Sequence, residues 1–201
     1  MLSIKDIHDF WKNANGKNSP EKYLSGEEKT EFIISKISEI SNKSDVILEI
    51  GCNAGRNLNG LLQAGYKNLV GIEINYNAIM VMEKEFPGMY KEIKIYNFPA
   101  ETILPYLLEN SIDVIFTMAV LEHIHFNSEN IISENIKRIA RKNIITIEDE
   151  YTKSDRHLPR NYKYIFESEK FIQIEWKRKL KIAGLSGRYI YRLFKRRNNA
   201  I

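Results

Sequence analysis

Apolar runs at 46–50, 69–74, 92–96, 112–118 and 143–148 alternate with amphipathic stretches near 28–41, 55–64, 76–85, 101–108 and 127–141. Val46-Ile47-Leu48-Glu49-Ile50 is β-branched and almost continuously apolar, the pattern of a strand buried on both faces. After Gly55 the period changes, and Leu58, Leu61 and Leu62 fall on one helical stripe. Pro87-Gly88 and Asn110-Ser111 read as breakers between elements. This alternation predicts an α/β chain whose parallel sheet carries helices on both faces. Past Asp149, Phe171–Trp176 alternates as a half-exposed strand, and Arg188–Phe194 does so again, with Gly184 and Gly187 between them. Ahead of the core, Ile4, Ile7, Phe10 and Trp11 make an apolar stripe at helical spacing, and 18–23 reads as a loop entering the next helix.

The turn after the first run, Gly51-Cys52-Asn53-Ala54-Gly55-Arg56, sets two glycines where backbone must bend and approach a ligand without a Cβ in the way. The second run ends in Gly71-Ile72-Glu73-Ile74-Asn75, and a carboxylate at that strand end can accept both hydroxyls of a ribose. Together the two pieces describe a site for a nucleoside-bearing cofactor. The nicotinamide and flavin fingerprint needs a second glycine beside the pyrophosphate and a third for helix packing. Gly51-x-Asn53-x-Gly55 with Leu58 following supplies neither, which argues against a dehydrogenase. The loop instead resembles the first motif of the class I S-adenosylmethionine-dependent methyltransferases, which reads much like Leu-Glu-Ile-Gly-Cys-Gly-x-Gly. Phe116-Thr117-Met118-Ala119-Val120-Leu121-Glu122-His123-Ile124 is similar to that family's fourth-strand segment with its frequent Leu-Glu-His ending. The resemblance spans roughly residues 25 to 196 with both motifs in register.

The resemblance implies a doubly wound, mostly parallel seven-stranded sheet of Rossmann-like type, closed by an antiparallel C-terminal strand pair that the runs at 171–176 and 188–194 fit. It implies one domain over 1–201, with a core at 28–196 and 1–27 as a cap or lid. The implied cofactor is S-adenosyl-L-methionine, with S-adenosyl-L-homocysteine as product. Carried over position by position, Gly51, Asn53 and Gly55 approach its amino-acid part, with Cys52 and Arg56 in the same loop. Glu49 orders the loop, Glu73 binds the ribose hydroxyls, Ile74 packs on the adenine, and Met118 joins them from the fourth strand. Many family members carry an acid followed by alanine after the third strand. Here the segment is Asn97-Phe98-Pro99-Ala100-Glu101, so Ala100 matches, Pro99 replaces the acid, and Asn97 or Glu101 substitutes for the adenine contact.

Methyl transfer from a sulfonium is an in-line displacement, so the protein must mainly fix donor and acceptor and exclude water. A base helps when the acceptor is a hydroxyl. His123 and His125 follow the fourth strand and titrate near neutrality, which makes them candidates for base or for orienting substrate. Glu148-Asp149-Glu150, with Tyr151 and His157 nearby, forms an acidic cluster after the fifth strand. It reads as a solvated loop, or as a group binding an amine, a sugar hydroxyl or a divalent metal with His157. Glu148 is the candidate catalytic member. No metal is expected, because no histidine or cysteine pair beyond His123-x-His125 has ligand spacing. Arg160 and Tyr162 read as phosphate- or ring-binding residues, or as loop geometry.

With 201 residues, 43% of them hydrophobic, the chain can bury one good core. The first residues lack a basic segment followed by an apolar run, no run reaches the roughly eighteen apolar residues of a membrane span, and the single cysteine suits a reducing compartment; a cytoplasmic protein is expected. The net charge of +4 is asymmetric, because nine basic residues and no acids lie from Lys177 to Arg197. This end reads as a solvated basic terminus, or as a weak contact for phosphate, nucleic acid or an anionic membrane. The expected reaction is methylation of an O or N atom of a small molecule or glycan-biosynthesis intermediate. RNA or protein methylation through the basic end and a non-catalytic cofactor-binding scaffold are the alternatives. The Asn/Asp-Pro-Pro-Tyr tetrapeptide frequent in nucleic-acid amino methyltransferases does not follow the fourth strand.

Overall fold

The computed structural model describes residues 2–185 and 187–197, so Met1, Ser186 and 198–201 of the expected domain lie outside the described residues. Seven strands form one sheet: β1 (Ile47–Ile50), β2 (Leu69–Ile72), β3 (Lys94–Tyr96), β4 (Ile112–Met118), β5 (Ala140–Asp149), β6 (Phe171–Arg178) and β7 (Tyr189–Arg196). Their order is β3-β2-β1-β4-β5-β7-β6, with β1 to β5 parallel and β7 antiparallel to both neighbours. All four side chains of β1 are buried, as a central parallel strand covered on both faces requires.

Alternation along β1 sorts its side chains between two cores. Ile47 joins Ile33 and Ile37 of α2 (Glu27–Ser38), Leu58 and Leu61 of α3 (Arg56–Gln63), Met82 of α4 (Tyr76–Glu85) and Met89 of α5 (Pro87–Glu92). Leu48 and Ile50 join Ala100 of α6 (Ala100–Ile103), Ile132 and Ile136 of α7 (Phe126–Ile139) and Phe166 of α8 (Tyr162–Phe166) on the other face. Glu49 therefore lies on the α3 side with Ile47.

Several expectations need correction. Pro87-Gly88 does end α4, at Glu85, but Pro87 also begins a further helix, α5, where its missing N–H costs no hydrogen bond. The helix expected at 101–108 is cut short, because α6 tightens into a 3-10 turn at Leu104–Tyr106 around Pro105. The loop at 18–23 contains 3-10 turns at Gly16–Asn18 and Pro20–Tyr23. The apolar N-terminal stripe forms α1 (Ile4–Lys12), started by a capping box between Ser3 and Asp6. The basic end is no solvated tail but β6, β7 and their connection. Arg192 is buried, with Nε and Nη2 donating to the two Glu150 carboxylate oxygens at 2.7 and 2.8 Å, while Lys177, Lys179, Lys181, Lys195 and Arg197 are exposed. Among the described residues no helix is long and apolar enough to cross a membrane.

Candidate active site

A cavity of about 430 Å³ opens at the C-terminal ends of β1, β2 and β4. This is the switch point of the sheet, where the chain crosses from one side of β1 to the other and loops diverge to leave a crevice. Gly51 and Asn53 take left-handed backbone at φ 73° and 46°, and asparagine is among the few residues that tolerate this conformation, so Asn53 can stand where the family motif has glycine. Asn53 donates its backbone N–H to Glu73 Oε2 at 2.8 Å, and Asn75 donates to Oε1 at 2.7 Å. The loop after β1 is thereby bolted to the end of β2. Burial raises the Glu73 pKa, against the opposing pull of these backbone donors.

Glu49 accepts from Asn57 Nδ2 at 2.7 Å through Oε1, whereas Oε2 is buried without a partner. Burial pushes this carboxyl up to about 8. An unsatisfied buried acceptor costs about 1–3 kcal/mol, and a cationic ligand group in the adjoining cavity would remove that penalty.

At the other end of the cavity, His123 sits on a 3-10 turn, Leu121–His123. Its Nδ1 lies 2.6 Å from the Arg156 carbonyl oxygen. A carbonyl can only accept, so Nδ1 carries the hydrogen and Nε2 keeps its lone pair. Burial lowers the ring to about 4, leaving it neutral at pH 7. Trp11 packs on one side with ring centroids 4.6 Å apart and His157 on the other at 4.5 Å. Glu122 Oε1 is 3.5 Å from His123 Nε2 and 3.7 Å from His157 Nε2. Arg160 fixes this turn from behind, donating to the carbonyls of Leu121, Leu158 and Ile124 and to Glu129.

The N-terminal segment walls the cavity: Ile4, Ile7, His8, Phe10 and Trp11 of α1 and Tyr23 line it. His8 Nε2 meets Glu101 Oε1 at 2.9 Å, and Arg56 holds the carbonyls of Tyr23 and Ser25 at 3.1 and 2.7 Å.

Residues 48–146 match the family described as a methyltransferase domain. Over residues 48–146 this chain carries a methyltransferase domain. No curated protein matches the chain in sequence. The methyltransferase fold is similar to that of magnesium protoporphyrin IX methyltransferase (ChlM) from Synechocystis PCC 6803 with bound SAM, at 15% identity and a TM-score of 0.70, covering 98% of this chain and 99% of that one. A SAM-dependent methyltransferase from Archaeoglobus fulgidus gives 15% identity and 0.62 over 84% and 94%. A chain from the complex of the Haloferax volcanii Trm112 methyltransferase activator with a methyltransferase gives 11% identity and 0.72 over 99% and 100%. At these identities the likeness is one of fold.

Within the methyltransferase domain, the expected cofactor residues Glu49, Gly51, Cys52, Asn53, Arg56, Glu73, Ile74, Ala100, Glu101 and Met118 line the cavity. Gly55 and Asn97 are not among its lining residues. A Cβ on Gly55 would meet Met82 at 2.7 Å, so that glycine serves packing on α4, and Asn97 ties down the carbonyls of Glu73 and Ile74. Burial pushes the Cys52 thiol well up, so it is unreactive. His123 lines the cavity, as does His125, but His125 Nδ1 accepts from Asn127 N at 3.1 Å and caps α7. Glu148 is fully buried behind the wall, accepting from the amides of Val120 and Glu122 at 2.9 and 3.3 Å; it braces the turn rather than facing a substrate. Arg160 and Tyr162 are also buried, away from the cavity. Trp11, His8 and Tyr23 reach the site from the expected 1–27 cap, without having been singled out in it, and Tyr189 reaches it from the start of β7 with no signal in the sequence.

Proposed function

We propose that this methyltransferase uses S-adenosyl-L-methionine to methylate an O or N atom of a small molecule, such as a glycan-biosynthesis intermediate. The observation that carries this reading is one continuous cavity. Its inner end holds the Glu49 and Glu73 carboxylates and its outer end holds His123, His157 and Trp11, beneath α1. The residues present fit the cofactor. The unpartnered Glu49 Oε2 suits an ammonium, and the Asn53-anchored Glu73 suits vicinal hydroxyls. When bound, the cofactor supplies an electrophilic methyl on a sulfonium. Glu49, Gly51 and Asn53 would orient its amino-acid part, Glu73 its ribose, and Ile74 and Ala100 its adenine.

The chain's own contribution is positioning and exclusion of water. The segment 1–27 would act as the lid of a single domain, latched by His8 on Glu101 and by Arg56 on the Tyr23 and Ser25 carbonyls. That cover favours an acceptor small enough to enter beneath α1. The single, unreactive thiol is compatible with work in the cytoplasm.

The test is transfer of labelled methyl groups from S-adenosylmethionine into cell-extract fractions. Label in the small-molecule fraction, insensitive to salt, is expected. Label confined to RNA or protein, falling steeply with salt, would favour the exposed lysines of β6 and its connection to β7.

A further inference from the structure

We propose that Glu122, His123 and His157 form a divalent transition-metal site, of the Zn²⁺ or Co²⁺ kind, at the outer end of the cavity, where the ion would bind an oxygen of the acceptor. One ligand atom from each of these residues lies within 4.8 Å of the others. Two ligands bonded at about 2.0–2.1 Å and tetrahedral angles stand roughly 3.3 Å apart. Glu122 Oε1 is 3.5 and 3.7 Å from the two Nε2 atoms, so each of these two pairs stands within a few tenths of an ångström of that spacing, and the whole set lies within 4.8 Å. Two imidazoles and a carboxylate suit these ions better than Mg²⁺ or Ca²⁺, which favour oxygen.

The surroundings orient the ligands independently of any ion. The Arg156 carbonyl takes the His123 Nδ1 hydrogen, which aims the Nε2 lone pair toward Glu122. Ser154 Oγ holds His157 Nδ1 at 3.2 Å. The Tyr189 hydroxyl and the Asp149 N–H hold the Glu122 carboxylate. Such outer partners fix ring orientation at metal sites. Both histidines line the cavity, so three protein ligands leave a coordination position open toward it. Beside them the buried indole N–H of Trp11 has no acceptor, which points to a ligand oxygen in the same place. The two halves come from the turn after β4 and the loop after β5, so no ligand spacing exists in the sequence.

The ion site stands on these residues; the acceptor oxygen rests on the methyltransferase reading. Chelator-treated full-length protein is titrated with Co²⁺ and followed by visible d–d absorption, then by X-ray absorption. One Co²⁺ per chain with imidazole scattering is expected, and His157→Gln should weaken it at least about tenfold with an unchanged circular dichroism spectrum. No Co²⁺ spectrum, no imidazole scattering, or equal affinity in His157→Gln would overturn the site. The same chelated protein is titrated with S-adenosylhomocysteine. Homocysteine-nucleoside binding without Co²⁺ binding rejects the metal alone, whereas Co²⁺ binding without it supports the ion site and rejects the methyltransferase reading.

Discussion

Glu73 accepts the backbone N–H of Asn53 at 2.8 Å, joining the loop after β1 to the end of β2. The same carboxylate takes the Asn75 N–H at 2.7 Å, so one side chain shapes two loops of the cavity and, in the proposed complex, holds the ribose. Glu73→Ala would leave two backbone donors without their acceptor at about 1–3 kcal/mol each, if water does not replace it. We expect affinity for S-adenosylhomocysteine to fall at least about tenfold and Tm to drop; unchanged affinity in calorimetry would place the ribose elsewhere.

Glu49 predicts a pH dependence. Its folded-state pKa of about 8 lies above the ordinary 4.5, so the ligand-free fold retains a proton that the unfolded chain has lost. Stability from this residue is present below about 4.5 and declines as pH rises through 8. A ligand ammonium beside Oε2 favours the ionised form, so binding at pH 7 releases a proton and strengthens toward pH 8. Calorimetry in two buffers of different ionisation enthalpy reads this release, and Glu49→Gln should abolish it.

At the opposite end of the strands, Arg141 and Lys142 hold Asp113 on β4, and its carboxyl sits at about 2 despite burial. The sign is reversed here: the contribution is full above about 3.8 and is lost as pH falls through 2. Acid unfolding followed by circular dichroism should begin at higher pH in Asp113→Asn. The variant should also be destabilised near neutrality, since a buried partner of two cations is neutralised.

Gly51 tests packing at the loop. A Cβ there would lie 2.3 Å from Val120 Cγ2, and φ is 73°. Gly51→Ala should destabilise the fold by roughly 1–3 kcal/mol from strain and overlap. Adding Val120→Ala should recover the overlap and not the backbone strain, so a double-mutant cycle in urea should show coupling above 0.5 kcal/mol. Additive effects would mean that Val120 simply moves aside.

The central sheet was legible because its strands are buried on both faces and write themselves as apolar runs, Ile47–Ile50 most clearly. The loop from Gly51 and the carboxylate of Glu73 were legible because the cofactor end of such a fold is built from contiguous residues. Pro87 marked the end of α4 but not the start of α5, because proline breaks a helix interior yet suits a first turn. The basic run misled because charge counts carry no information on pairing, and Arg192 is spent inside the sheet on Glu150. The outer end of the cavity was illegible for a different reason. Trp11, Glu122, His123 and His157 come from three separate segments, and only tertiary packing brings them together.

Calorimetric titration of the purified chain with S-adenosylhomocysteine tests the central claim most directly. The account predicts saturable micromolar binding of about one molecule per chain, lost or weakened at least about tenfold in Glu73→Ala. Absence of binding to the folded wild-type protein would contradict it.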